Sequence, residues 1–546
     1  MSLPCFSTQQ SLFGVGSLAA KLFRPDNRYQ LFAQIIWPQL VAARPELAAM
    51  YCADNGRPAV EPVMMLGVSL LQFLDRVPDR AAMELLALHL GWKLALQRDL
   101  DEGAPDPSLL VYFRERLLEH ERGTLVFDKI LDGLQTAGLV RKKTKQRLDS
   151  THVLGLVRRM SSLDCVRETL RCALEALEPL LRECPALWPT WWERYVATAA
   201  DYRADEATLK EKFLQAGEDA RALLEWAAQQ TETVRAHSAV ALLRRVWEEN
   251  FELVEGKSVA RPSQPTGAVK NPHDPEAQWS SKSSDKKTEW VGYKVQVAET
   301  VHDAQQPEGA PTNNFITSVV TQPATHSDEA GMEQTLEHQA QNRLEKPGEL
   351  YVDGAYVSAA ALAQAQSEAR ELLGPAQPSA QRGKGYRTED FDVDVARRRA
   401  VCPAGKENTQ CSRLEEGRSG KVSYRFEFST HCHDCPLRAP CVGKDQRHRT
   451  LTVGEHHNHL QARRREQKTE AFRQRMRARA GIEGTQSEMV RAHGMRRARY
   501  RGLAKVTLQN HLIGAACNIK RWLRLLAWRM RGGELMKRPA ASPVPA

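Results

Sequence analysis

The segment ELYVDGAYVS, residues 349–358, determines the fold class that the sequence predicts. Its apolar residues predict a short strand that ends at Asp353 and a glycine. Before it, EWVGYKVQVAETV (289–301) alternates apolar and polar residues, and NFITSVVTQPAT (314–325) is a second predicted strand. The region is completed by two segments with helical periodicity, EAGMEQTLEHQAQNR and SAAALAQAQSEA, and by one further strand candidate, RELLGPA. The order strand, strand, helix, strand, helix, strand predicts an α/β layer with a mixed sheet flanked by helices.

The rest of the chain is mainly helical by pattern. Residues 27–140 contain several stretches with apolar residues three and four positions apart, and 161–253 contain more. Between them, RLDSTHV (147–153) is β-like and carries Asp149. We expect this strand to join the sheet across a helical insertion. A polar stretch rich in Pro, Ser and Lys, within 255–288, predicts a linker or loop.

Composition and charge narrow the function. The 546 residues include 42% hydrophobic and 26% charged residues, which is typical of a globular protein of several domains. No apolar run is long enough to span a membrane, and the first residues lack a secretory signal pattern, so we expect a cytoplasmic protein. The net charge is +10, and residues 461–505 hold 14 Lys and Arg against 4 Glu, so 14 − 4 = +10. This concentration favours a polyanionic partner such as nucleic acid.

The arginine-rich stretch RAGIEGTQSEMVRAHGMRRARYRG, residues 479–502, also contains two carboxylates, Glu483 and Glu488. Asp149 and Asp353 lie on predicted strands, and carboxylates at strand ends point to the crevice of an α/β fold. Three converging carboxylates need a cation, and oxygen ligands suit Mg²⁺ or Mn²⁺. Two such ions, with arginines that hold phosphate, are suited to cleaving nucleic acid. Each aspartate is also compatible with a turn or N-cap, and Glu483 with an i,i+4 salt bridge to Arg479.

On these motifs, the chain resembles a DDE-type transposase of a bacterial insertion sequence. The matching pieces are LDSTHV, WVGYKVQVAET, ELYVDGAYVS and the block 477–522. The resemblance implies an RNase H-like core and Asp149, Asp353 and Glu483 as the metal-binding triad for two Mg²⁺ ions. It also implies that an activated water cuts the element end and that the freed 3′-hydroxyl attacks target DNA.

Part of this superfamily carries Tyr, Arg, Glu and Lys with two, three and six residues between them. Arg479 and Glu483 fit that spacing, whereas Met476 stands at the Tyr position and Val490 at the Lys position. The sequence therefore favours Glu483 over Glu488 as the third ligand. A metal-dependent DNA nuclease of the same fold and a catalytically decayed DNA-binding protein remain the alternative functions.

Five of the 11 cysteines fall between Cys402 and Cys441, and an odd total argues against a disulfide framework. The spacing of Cys402, Cys432, Cys435 and Cys441 suits a structural, tetrahedral Zn²⁺ site. Similar transposases carry a Cys-rich insertion at this place. The other candidate ligands are Cys411, His431 and His433, and a degenerate or redox-active cluster is the alternative.

The predicted partner is double-stranded DNA at the element ends and the target, bound by a homodimer near the bacterial nucleoid. The predicted DNA-binding residues are Lys294, Arg479, Arg491, Arg496, Arg497, Arg499 and Arg501. The predicted divisions are 1–140, a helical DNA-binding or dimerisation domain; 141–160, the first catalytic strand; 161–254, the helical insertion; 255–288, the linker; 289–382, the RNase H-like core; 383–455, a zinc-ribbon-like insertion; 456–530, the catalytic helix region; and 531–546, a disordered tail.

Overall fold

A computed structural model describes the chain over residues 2–3, 15–52, 55–181, 184–199, 205–282, 289–302, 309–379, 385–417, 420–443 and 446–532. Residues 533–546 of the predicted disordered tail, and 283–288 of the predicted linker, lie outside the described residues.

The first part of the chain is helical, as its periodicity predicts. Pro62 begins the fifth helix, where its missing N–H costs no hydrogen bond, and Arg76 ends it in the left-handed region at φ 57°. The helices are α1 Val15–Leu22, α2 Arg28–Leu31, α3 Trp37–Val41, α4 Arg44–Ala48, α5 Pro62–Asp75, α6 Asp79–Leu88, α7 Leu90–Ala95, α8 Ser108–Glu119 and α9 Leu125–Thr136.

A mixed six-stranded sheet forms the centre of the protein, and this confirms the predicted α/β core. Its strands are β1 Lys145–Leu154, β4 Gln278–Ser281, β5 Glu289–Val301, β6 Ile316–Pro323, β7 Glu349–Tyr351 and β8 Glu371–Leu373. The order is β4-β5-β1-β7-β8, with β6 also paired to β5. β5 runs antiparallel to its neighbours, whereas β1, β7 and β8 are mutually parallel. The strand that carries Asp149 therefore joins the sheet at its centre, paired with β5 over ten residues.

The two faces of this sheet are covered by different helices. Helices α15 Asp328–Gln341 and α16 Ala359–Ser367 pack on one face, around Leu148, Ala298 and Tyr356. The N-terminal helices and the long C-terminal helix α21, Leu503–Met530, share one apolar core with the other face. The N-terminal helices, which the sequence predicts as one domain, thus pack directly on the sheet and share its apolar core.

A separate helical unit lies in the chain between β1 and β4. It comprises α10 Ser162–Leu177, α11 Trp188–Trp192, α12 Glu206–Ala228, α13 Glu232–Arg235, α14 Ser238–Asn250 and the hairpin β2 Phe251–Val254 and β3 Lys257–Ala260. It has its own apolar cluster, in which Trp188 and Trp191 are buried as core residues. The sequence predicts a linker or loop over 255–288, but β3 and β4 lie within it. Asp274 is buried there, and it accepts a hydrogen bond from the Tyr293 hydroxyl at 2.7 Å.

A Cys-rich unit and four helices complete the described chain. The strands of the Cys-rich unit are β9 Asp392–Asp394, β10 Arg399–Val401, β11 Gln410–Glu415, β12 Val422–Glu427 and β13 Thr450–Gly454. The helices are α17 Arg438–Cys441 within it, then α18 His457–Glu466, α19 Glu470–Met476 and α20 Gly481–His493 ahead of α21. Among the described helices, none combines the length and apolar character that crossing a bilayer requires.

Candidate functional site

Asp149 lies on β1, and Asp353 lies two residues beyond the end of the neighbouring parallel strand β7. The β1–β7 register pairs Gln146 with Leu350, and 350 − 146 = 204 equals the separation of Asp149 and Asp353. Asp353 caps the short turn that follows β7, and its Oδ1 accepts a hydrogen bond from the Ala355 N–H at 2.8 Å. Asp149 Oδ1 accepts one from the Ser150 N–H at 2.8 Å. Local backbone bonds therefore orient both carboxylates, that of Asp149 on the central strand and that of Asp353 at the turn after β7.

The environment of Asp149 disfavours its negative charge. Burial raises the pKa of Asp149 to about 6, against the opposing effects of the Arg479 guanidinium and the Ser150 N–H. The carboxylates of Asp353 and Asp328 raise this pKa further, so they lie within electrostatic reach. A buried carboxyl beside other carboxylates is the arrangement that a bound cation relieves.

Arg479 joins the aspartate pair to Glu483. Its Nη2 lies 3.0 Å from Asp149 Oδ2, and its Nη1 lies 3.8 Å from Glu483 Oε1. Glu483 is one helical turn later on α20, and its side chain is 71% exposed. The predicted i,i+4 contact of Arg479 with Glu483 is therefore present, but the same guanidinium also binds Asp149. Arg479 therefore bridges Asp149 and Glu483, but the triad Asp149, Asp353 and Glu483 is not among the groups of described residues whose potential ligand atoms lie within 4.8 Å of one another.

Glu488, the competing carboxylate, lies on a different side of α20. Five residues advance a helix by about 500°, which turns Glu488 roughly 140° away from Glu483. Its oxygens lie 2.9 Å from Lys520 Nζ and 2.9 Å from Arg521 Nε. These cations lower the pKa of Glu488 to about 2, although burial opposes them. Glu488 is therefore engaged in holding α20 against α21.

A buried ion network, which the sequence analysis missed, holds the start of α20 against the sheet. Glu299 of β5 is fully buried between Arg147 Nε at 2.6 Å and Arg521 Nη1 at 2.9 Å, and it accepts a hydrogen bond from Thr485 at 2.6 Å. Arg147 also donates to the carbonyl of residue 478 at 2.8 Å. A Cβ on Gly481 would overlap the Arg147 guanidinium, so only glycine lets the chain approach so closely.

A second network supports the turn that carries Asp353. The buried Gln296 accepts a hydrogen bond from the Tyr356 hydroxyl and donates one to Asp328 Oδ1 at 3.1 Å. Asp328 is the first residue of α15, and Lys294 Nζ lies 3.3 Å from it. A Cβ on Gly331 would overlap the Gln296 amide. In the sequence, the feature that marks both networks is the pair of polar residues Gln296 and Glu299 on β5, whose side chains are buried.

The four predicted zinc ligands line one small cavity of about 20 Å³. Burial raises the pKa of the Cys441 thiol, and so do Cys432, Cys402 and Cys435 nearby. Backbone N–H groups donate to two of the sulfurs, Cys402 at 3.4 Å and Cys432 at 3.5 Å. The ten cysteines in the described ranges are free thiols, and Cys5 lies outside those ranges.

The other candidate zinc ligands lie in different places. His431 lines the same cavity. His433 is 86% exposed and hydrogen-bonds Asp434 at 2.9 Å. Cys411 is on β11, and it is not among the residues that line the cavity.

Comparison with known proteins gives two family matches. Residues 401–523, from the Cys-rich unit through Glu483 into α21, match the family described as Transposase DDE domain. Residues 17–116, which include most of the N-terminal helices, match the family described as Transposase domain (DUF772).

These matches to two transposase domains support the identification of the chain as an insertion-sequence DDE transposase. No curated protein matches it. Asp149 and Asp353 precede the DDE-domain match, so their place in this transposase rests on the sheet geometry above.

Apart from Arg479, the arginines predicted to bind DNA divide into two groups. Arg491, Arg497 and Arg501 are exposed. Arg496 donates to the carbonyl of His152 at 2.7 Å, and Arg499 lies over the Phe73 ring at 4.7 Å. The exposed group is available to phosphate, whereas Arg496 and Arg499 have partners within the fold.

Lys294 and His152 also have partners within the fold. Lys294 Nζ donates to the His326 carbonyl at 2.8 Å, beside its contact with Asp328. The ring of His152 lies 5.1 Å from that of Trp290, and burial lowers its pKa to about 4. Lys294 thus lies beside the network that supports Asp353.

Proposed function

We propose that this transposase cuts the phosphodiester at the ends of its element and joins the freed 3′-hydroxyl to target DNA. The observation that carries the proposal is the position of Arg479 between Asp149 and Glu483, with Asp353 close enough to raise the pKa of Asp149. The three carboxylates come from separate elements, and Arg479 and the electrostatic effect of Asp353 on Asp149 support the proposal that they act together. The proposed substrate is double-stranded DNA.

We propose that the core has an RNase H-like fold. Support comes from the sheet, in which an antiparallel β6-β5-β1 meander continues into the parallel strands β7 and β8. Asp149 is on the central strand and Asp353 follows its parallel neighbour. On this proposal the units at 161–254 and 383–455 are insertions into the core.

The side chains of the site suit a hard divalent cation. Asp149, Asp353 and Glu483 offer only oxygen, which Mg²⁺ and Mn²⁺ prefer, and we propose that they hold two such ions. When bound, these ions supply an activated water and neutralise charge on the leaving oxygen.

The chain's own residues prepare the site for DNA. Arg479 balances the charges of Asp149 and Glu483 and can also bind a phosphate oxygen. The exposed Arg491, Arg497 and Arg501 can hold the phosphodiester backbone. The buried Glu299 network keeps α20 at a fixed distance from β1 and so sets the position of Glu483 relative to Asp149.

The test is Mg²⁺-dependent cleavage of DNA that carries the element ends. Asp149→Asn, Asp353→Asn and Glu483→Gln should each lose cleavage at least 100-fold and still bind the DNA. Glu470→Gln is the matched control, because Glu470 is an exposed glutamate of α19 that pairs with Arg473 at the surface. Full cleavage by any of the three variants would refute the triad. Strand transfer from pre-cut ends separates a transposase from a nuclease that cannot join strands.

We propose that Cys402, Cys432, Cys435 and Cys441 hold a structural Zn²⁺ ion. Support comes from the four cysteines that line one small cavity, because cysteine thiolates are the usual ligands of a structural Zn²⁺ ion. The N–H groups that point at Cys402 and Cys432 would stabilise thiolates. Cys435→Ser should lower the zinc content by one ion per chain, as measured by mass spectrometry of the purified protein.

We further propose that the N-terminal helices help to bind the element ends or to form a homodimer, and that the protein acts at the bacterial nucleoid. Support comes from the match of 17–116 to a transposase domain and from the net charge of +10. Light scattering of the protein bound to end DNA should give two chains per complex. One chain per complex would refute the dimer.

A further inference from the structure

Three potential metal ligands meet where the helical unit contacts the loop before β4. Glu168 and Cys172 are four residues apart on α10, so both are on one side of that helix. His273 reaches them from the loop, and its Nε2 lies 2.6 Å from Glu168 Oε1. One ligand atom from each of the three residues lies within 4.8 Å of the others. The proposed DNA chemistry uses none of these residues.

The donor set discriminates among cations. It combines a carboxylate oxygen, an imidazole nitrogen and a thiolate sulfur. Mg²⁺ and Ca²⁺ prefer oxygen alone, whereas Zn²⁺ accepts oxygen, nitrogen and sulfur together in tetrahedral sites. The three side chains are half-buried, so a cation can reach them from solvent while one coordination position remains for water.

The neighbouring charges also permit a divalent ion. Arg171 is the adjacent cation, and it binds Glu168 at 2.6 Å and Glu175 at 2.6 Å. These two carboxylates already exceed its single charge, and a Cys172 thiolate would add a further negative charge. The net charge of Arg171, Glu168, Glu175 and that thiolate is 1 − 3 = −2, which a divalent cation neutralises.

We propose that Glu168, Cys172 and His273 bind one Zn²⁺ ion, with water as the fourth ligand. Binding releases the proton of the Cys172 thiol and uses the lone pair of neutral His273. Tetrahedral ligands about 2.0 Å from zinc lie roughly 3.3 Å apart, so the Glu168–His273 contact must open by less than 1 Å. Side-chain rotation can supply that change.

The ion would join the helical unit to the sheet. Beside His273, Asp274 accepts hydrogen bonds from the Tyr293 hydroxyl of β5 at 2.7 Å and from the Gly502 N–H, immediately before α21, at 3.2 Å. Asn271 donates to the Arg158 carbonyl at 3.1 Å. The loop is thus fixed to the core on one side, and zinc would fix it to α10 on the other.

Zinc content of the full-length protein tests this site separately from the Cys-rich unit. After dialysis against micromolar Zn²⁺, Cys172→Ser and His273→Ala should each contain one ion per chain fewer than the unmodified protein. Cys184→Ser is the matched control, because Cys184 is an exposed cysteine between α10 and α11, and it should lose none. Circular dichroism of each variant checks that its helices are retained.

The variants separate the two zinc proposals. If Cys435→Ser loses no ion, the Cys-rich proposal fails and this one stands. If folded Cys172→Ser retains the zinc content of the unmodified protein, this proposal is refuted. As a second measurement, Zn²⁺ should slow amide hydrogen exchange in α10 and in residues 262–277 of the unmodified protein, and it should leave the Cys172→Ser protein unchanged. Equal exchange in both proteins would also refute the site.

Discussion

Replacement of Asp149 by asparagine should stabilise the protein in the absence of divalent cations while abolishing its cleavage activity. The side chain of Asp149 is only 12% exposed, and its pKa is raised from 3.8 to about 6. Because the folded state binds the proton more tightly than the unfolded state, the charged form opposes folding. This destabilisation is absent below pH 3.8 and develops as the pH rises through about 6.

The size of the effect follows from the shift. A difference of about two pKa units, at 1.36 kcal/mol each, corresponds to about 3 kcal/mol at pH 8. At pH 4 the difference is below about 1 kcal/mol. Asparagine has nearly the shape of the protonated carboxyl, so the Asp149→Asn protein should exceed the parent in stability by an amount that increases with pH.

The assay is urea denaturation followed by tryptophan fluorescence, with EDTA, from pH 4 to pH 8. Comparison of the two proteins at each pH cancels the other titrating groups. Glu483→Gln is the control, because its 71% exposed side chain should change stability little. Adding Mg²⁺ should stabilise the parent and leave Asp149→Asn nearly unchanged. A stability difference that stays constant or falls with pH would refute the electrostatic reasoning.

Three further predictions follow from the site. Gly481→Ala should displace Arg147, lower cleavage at least 10-fold and reduce the free energy of unfolding by about 1–3 kcal/mol. Gly484→Ala, whose Cβ meets open space, is the control for both measurements. Gln296→Leu should leave the Tyr356 hydroxyl without its buried partner and cost about 1–3 kcal/mol, and equal stability of variant and parent in urea would contradict this. A zinc chelator should lower the thermal midpoint of the parent protein more than that of Cys435→Ser, which would keep only the ion proposed at Glu168, Cys172 and His273, and an equal decrease in both would argue against zinc at the cysteine cluster.

Much of the core could be predicted from sequence because its signals are local. Alternation in 289–301 and the short apolar run before Asp353 specify strands through side-chain periodicity. The spacing of Arg479 and Glu483 places them one helical turn apart, as found. The short β-like segment that carries Asp149 forms β1, the central strand of the sheet.

Other features depend on residues far apart in the chain. The partners of Glu299 come from β1, α20 and α21, so their approach has no sequence periodicity to reveal it. The same holds for the meeting of α10 with His273, and for the internal partners of Arg496 and Arg499, which look like neighbouring DNA-binding arginines in the sequence. The segment 255–288 has the composition of a loop, yet tertiary hydrogen bonds to Asp274 hold part of it in the core.

The local sequence specifies the strands and helices of the core and the excess of basic charge, because periodicity and composition are local properties. Tertiary packing alone places Asp353 just after the strand parallel to that of Asp149, turns Glu488 towards Lys520 and Arg521, and leaves Arg491, Arg497 and Arg501 exposed. The physical reason is that burial and charge pairing depend on distances between elements, and folding sets those distances.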